Sequence, residues 1–185
     1  MIGYELPTSL RIRGVEYAIR TDFRAILDVL MAMNDPDLDN SAKGLVLLTI
    51  MYPDMEEIPH EDLEEAYKKA CDFIDCGQQD DGKNHPKTID WEQDSGIIVP
   101  AVNSVAHVDI RTLPYLHWWS FFGYFMEIRE SLLSTVVNIR QKKAKHKKLD
   151  KWEEEFYRDN KALVDFTHKE SEEEKQIKAN MMKWL

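Results

Sequence analysis

Hydrophobic and polar positions alternate at the start of the chain and fall into helical spacing afterwards. Leu10, Ile12, Val15, Tyr17 and Ile19 flank a single Gly14, which predicts two short strands joined by a tight turn. Thr21 or Asp22 then caps a helix whose Phe23, Ile26, Leu27, Leu30 and Met33 share one face, and the polar stretch NDPDLDN ends it. A second helix is predicted over residues 41–51. Pro59 opens the first turn of a third, with Glu61, Asp62, Glu64 and Glu65 near its positive end and Leu63, Ala66, Ala70, Phe73 and Ile74 on its buried side. Cys76 and Gly77 close it.

The next ten residues, GQQDDGKNHP, are polar and lack periodicity, so a linker is expected there with a boundary near residue 85. That divides the chain into residues 1–84, a hairpin with acidic helices, residues 85–168, an aromatic-rich helical half, and residues 169–185, a charged tail with an apolar end. The second half opens with a helix from Asp90 carrying Trp91, Asp94, Ile97, Ile98, Ala101 and Val105 at helical spacing, which Pro100 should kink or break. Pro114 then opens a long helix through LPYLHWWSFFGYFMEI and onward through Leu132, Leu133, Val136, Val137 and Ile139 to Arg140. Leu116, Trp119, Phe122 and Phe125 form its expected core seam, opposite a small-or-polar stripe of Ser120, Gly123, Glu127, Ser131, Ser134 and Asn138. Asp150 and Glu153 make a capping box for a last helix, with Trp152, Phe156 and Leu163 on one side. The expected fold class is mostly α, with a small N-terminal β-hairpin and two loosely joined helical halves.

The aromatic run does not span a membrane, because only residues 115–126 precede Glu127 and a spanning helix takes roughly 20 apolar residues. No apolar leader is read at the N-terminus, so the chain is expected to stay in the cytosol. Cys71 and Cys76 are five apart, a spacing that suits neither a disulfide nor a metal pair and predicts reduced thiols. The net charge of -10 argues against general nucleic-acid binding, but its distribution matters more. Residues 35–94 hold 17 acids against 5 Lys or Arg, whereas residues 140–151 hold seven basic residues and one Asp.

Catalytic signals are absent from this pattern. The six histidines are scattered without an HExxH, DDGKN lacks the alternating ligands of a calcium loop, and no glycine-rich phosphate loop occurs. The expectation is a non-enzymatic protein without metal or cofactor, and His117 reads as a hydrogen-bonded core residue. The basic run, with Lys142, Lys143, Lys147 and Lys148, is either a solvated helix end or a surface for an acidic protein partner, since no aromatic interleaves it to stack on bases. The aromatic helix is either core or a partner surface. Adjacent Trp118 and Trp119 point about 100° apart, so covering both takes material on two sides, and Trp118 and Tyr124 are candidate contacts, with a second copy of the chain one source. Met181, Met182, Trp184 and Leu185 end the charged tail and suit an adaptable docking contact, or else pack back on the C-terminal half.

The run DWEQDSGIIVPAVNSVAHVDIRTLPYLHWWSFFGYFMEI, followed by SLLSTVVNIRQKKAKHKKLDKWEEEFYRDN, resembles the phage "gp-fifteen" family of siphophages and prophages of Gram-positive bacteria. Trp91, Pro114, Leu116, His117, Trp119, Phe122, Gly123 and Phe125 carry the signature. The likeness extends over essentially the whole chain and is most specific over residues 90–160. It implies a gene just upstream of the tape-measure gene and a role as a tail assembly chaperone. Such a chaperone coats the tape-measure protein, hands it to tail-tube subunits, and is absent from the mature virion. The alternatives are a structural tail component retained in the particle and a small nucleic-acid-binding regulator acting through the basic run.

Overall fold

The computed structural model describes residues 5–78, 82 and 85–167. It is mostly helical with one two-stranded antiparallel sheet, β1 Ser9–Ile12 and β2 Val15–Ala18, in the register Ser9 to Ala18 and Ile12 to Val15. The two turn residues, Arg13 and Gly14, have φ of 44° and 92°. Two positive φ angles are what a two-residue hairpin turn needs to match strand twist, and glycine takes the larger one without Cβ strain.

Helix α1 covers Phe23–Met33 and starts where the Asp22 carboxylate accepts the Arg24 N–H. Helix α2, Asn40–Met51, is capped in the same way by Asp39. Two short 3-10 turns, Met55–Glu57 and His60–Asp62, lead into α3, Leu63–Ile74. Cys76 and Gly77 end it in left-handed conformations, and the Gly77 N–H returns to the Asp72 carbonyl, a helix-ending geometry that satisfies an otherwise orphaned acceptor.

Helix α4 is Ser95–Ala106 and runs uninterrupted through Pro100. It does not begin at Asp90 as expected. The Asp90 carboxylate instead accepts the N–H groups of Glu92 and Gln93, and Asp94 accepts the Asp90 N–H, so these acids build a turn of their own ahead of the helix.

The long aromatic helix resolves into two, α5 Trp118–Met126 and α6 Leu132–Ala144. Hydrogen bonds make both breaks, long-range ones at the first and a local box at the second. The Asp22 carboxylate takes the Leu116 N–H, the Thr21 carbonyl takes the Trp118 N–H, and His117 caps α5. Pro114 therefore lies in the loop before the helix. Ser131 and Ser134, expected on a continuous stripe, instead form a reciprocal capping box that starts α6. Helix α7, Lys151–Asp159, opens on the anticipated box of Asp150 and Glu153, and α8 is Lys161–Val164.

α1 packs on α2 and α5, α3 on α2 and β1, and α4 on both α5 and α6. Side chains from before and after residue 85 share one apolar core, with Ile12, Phe23, Ile26, Met51, Tyr52 and Phe73 meeting Ile98, Val102, Ile110, Trp118 and Phe121. The Phe23 and Phe121 rings stack at 4.8 Å, and the Arg24 guanidinium donates to the Leu113 carbonyl. A smaller cluster of Val136, Ile139 and Val164 holds α8 against α6.

Candidate partner-binding surface

α5 begins on a fully used histidine. The Trp119 N–H donates to His117 Nδ1 at 3.0 Å, while Nε2 lies 3.0 Å from the Pro7 carbonyl. These two bonds assign the tautomer with the proton on Nε2. His117 is buried, and it ties the approach to β1 to the start of α5.

The start at Trp118 sets which aromatics face inward. Trp118 is 1% exposed, Phe121 is buried with it, and the Trp118 indole donates to the Ile74 carbonyl. Trp118 is therefore a core residue rather than a partner contact. The seam expected from Leu116, Trp119, Phe122 and Phe125 is displaced by one position, and those four are half-buried around the true core. The reason is the cap: with the helix opening at His117 rather than Pro114, the face turned toward α1 and α3 belongs to Trp118 and Phe121. Trp91 packs into the same group, 5.0 Å from the Phe125 ring.

The outer side of α5 forms an open groove of about 670 Å³ walled by Trp119, Phe122, Gly123, Tyr124 and Met126. Cys76, Gln78, Ser120 and Glu127 complete its lining. The Trp119 indole donates to the Phe73 carbonyl, which fixes one wall. Gly123 is exposed with nothing within 4 Å of where a Cβ would stand, and Met126 is 59% exposed. Burial, aided by Asp75, pushes the Cys76 thiol up to about 11, so at neutral pH it is an uncharged, weakly nucleophilic lining group. A rigid aromatic wall beside an adaptable Met suits an apolar side-chain stripe.

The basic run divides into two sets. Arg140 does not face solvent: it is 4% exposed and pairs with the buried Asp94 at 2.5 and 2.9 Å. Its remaining N–H groups go to the carbonyls of Thr88, Leu163 and Val164, so all five donors are used. Phe166 lies under the guanidinium at 4.1 Å. Lys142 pairs with the buried Glu153, and Lys143 with Asp165 at 2.6 Å. These three hold α7 and α8 in place. Lys145, Lys147, Lys148 and Lys151 are exposed. Spacing carried one signal for each partner separately, because Arg140 continues the Leu133 and Val136 face and Asp94 precedes Ile98 by one turn, but not that the two meet.

Trp152 and Phe156 share one side of α7, their rings 5.7 Å apart, but Trp152 faces outward beside the exposed lysines. The reason is again a cap: the α7 box turns Glu153 inward, where it also accepts from Asn138. Met181, Met182, Trp184 and Leu185 lie outside the described residues.

Among the described residues no group of three or more His, Cys, Asp or Glu is placed to hold a metal ion, and no helix is long and apolar enough to cross a membrane. Comparison with curated proteins and with solved structures found no match. The family model described as Bacteriophage Gp15 protein matches residues 3–166, and the chain belongs to that phage family.

Proposed function

We propose that this phage protein is a non-enzymatic tail assembly chaperone that binds the tape-measure protein in the host cytoplasm and leaves before the virion is complete. The observation that carries this reading is the open groove on α5, whose aromatic and methionine walls fit the apolar stripe of a helical client. A tape-measure helix in transit exposes such stripes, and covering them suppresses aggregation. The family resemblance supports the same role. Release then comes from competition by tail-tube subunits, which bind the client and shift the equilibrium by mass action.

Co-expression with the tape-measure protein of the same phage tests this. The two chains should co-purify, and Met126→Lys, at an exposed groove position, should weaken the complex at least roughly 5-fold while leaving the melting curve in place. Failure to co-purify would overturn the reading. Mass spectrometry of purified virions separates it from a structural tail component, which would remain in the particle.

A further inference from the structure

The chain carries two patches of opposite charge that its own folding does not bring together, although Arg13 and Lys68 take up Asp62, Glu64 and Glu65 of the acidic one. Residues 54–65 hold seven acids and no Lys or Arg. Within them Asp54, Glu56, Glu57 and Glu61 are exposed on the shoulder between α2 and α3. At the end of α6 and the start of α7, Lys145, Lys147, Lys148 and Lys151 are exposed. The principal packing partners of α2 and α3 are each other, α1 and β1, whereas those of α6 are α4 and α8, so the patches lie on elements that belong to different packing groups.

Each patch also holds one half of an apolar fit. Trp152, 59% exposed, stands beside Lys151. On the acidic shoulder a cleft of about 410 Å³ is lined by Ile50, Tyr52, Pro53 and Met55, with Glu56 at its rim. Arg20 lines it too, held by bonds of 3.1 and 2.8 Å to the carbonyls of Thr49 and Ile50, and a guanidinium so fixed is a good neighbour for an indole face.

We propose that a second copy of the chain docks here head to tail, Trp152 of one copy entering the shoulder cleft of the next while its lysines face that copy's acids. Exposed ion pairs alone contribute little. A desolvated Trp anchor ringed by complementary charge is the arrangement in which an interface concentrates its affinity. Because the joined surfaces differ, the contact is heterologous and repeats rather than closing on itself as a two-fold dimer. Such association is independent of whether the chain carries a tape-measure client.

Sedimentation of the full chain across concentration and ionic strength tests it. Mass should grow beyond a dimer with concentration at about 0.01 M salt and fall toward the monomer at about 1 M, where the Debye length shrinks from roughly 30 to 3 Å. Trp152→Ala should weaken association roughly 30-fold, the size of a hot-spot truncation. Reversing the four lysines to Glu, or the four acids to Lys, should abolish it, and combining both reversals in one chain should restore it. A monomer at every concentration in low salt would overturn the proposal. So would a closed dimer, or an association indifferent to salt and to Trp152→Ala. Duplex DNA retained by the lysines of a chain that stays monomeric would assign that patch to nucleic acid instead.

Discussion

At the scale of single residues, burial and hydrogen-bond satisfaction separate neighbours that look alike in sequence. Trp118 and Trp119 both donate an indole N–H to α3, but only Trp118 is enclosed. Trp118→Ala should cost about 3–5 kcal/mol in denaturant unfolding and Trp119→Ala less. Arg140→Ala should be comparably damaging, about 3–5 kcal/mol, because it strands Asp94 as a buried charge. Pairing Arg140→Met with Asp94→Leu should recover most of that loss. Asp90 gives a pH signature. Burial alone would raise its carboxyl, but the hydrogen bonds from Lys87 and from the Gln93 and Glu92 N–H groups outweigh it and hold the carboxyl below its ordinary value. A depressed folded-state pKa adds stability above the unfolded value of about 3.9 and loses it as pH falls through the folded value. Unfolding free energy followed downward from about pH 4 should therefore fall less steeply in Asp90→Asn than in the parent chain.

Among the elements, caps rather than propensity decide where helices begin. The apolar pattern between Leu113 and Ile139 is dense enough to suggest one helix, yet Ser131, with φ of -157° and ψ of 167°, starts a new one by trading bonds with Ser134. Ser131→Ala should destabilise the protein by about 1 kcal/mol, read as a lowered denaturant midpoint at unchanged slope. The same logic made the α7 box readable, since Asp150 and Glu153 stand before a clear amphipathic stretch. Glu127, Arg129, Glu130 and Ser131 mark the second break in the sequence, but no polar interval announced the late start at Trp118, where the competing partners of the backbone, Thr21 and Asp22, lie about ninety residues away.

For the whole molecule, the shared core implies mutual dependence of the residues on either side of position 85. Phe23 stacks on Phe121, and the Trp118 indole closes on Ile74. A fragment ending at residue 84 would expose Phe23, Ile26, Met51 and Phe73 to water, at roughly 25 cal/mol for each Å² of apolar surface. Fragments 1–84 and 85–185 should each lack a cooperative melt alone, with helical circular dichroism rising when they are mixed. Two independent melts would show instead that each half builds its own core.

Local rules were enough to read the hairpin, the first three helices, the α7 box and the polarity of charge from sequence. In each, the determining partners lie within a few residues: Gly14 beside its strands, Asp22 or Asp39 beside its helix, Asp150 three residues from Glu153. The family was also legible, because the aromatic run and its flanks form a long continuous signature. Tertiary structure alone decided which tryptophan is core, where the aromatic helix starts, and that Arg140 is locked on Asp94 while Lys145, Lys147, Lys148 and Lys151 stay exposed. Those outcomes turn on long-range competition for N–H groups, carbonyls and buried volume, and helical periodicity places residues on a face without saying which neighbour that face will meet.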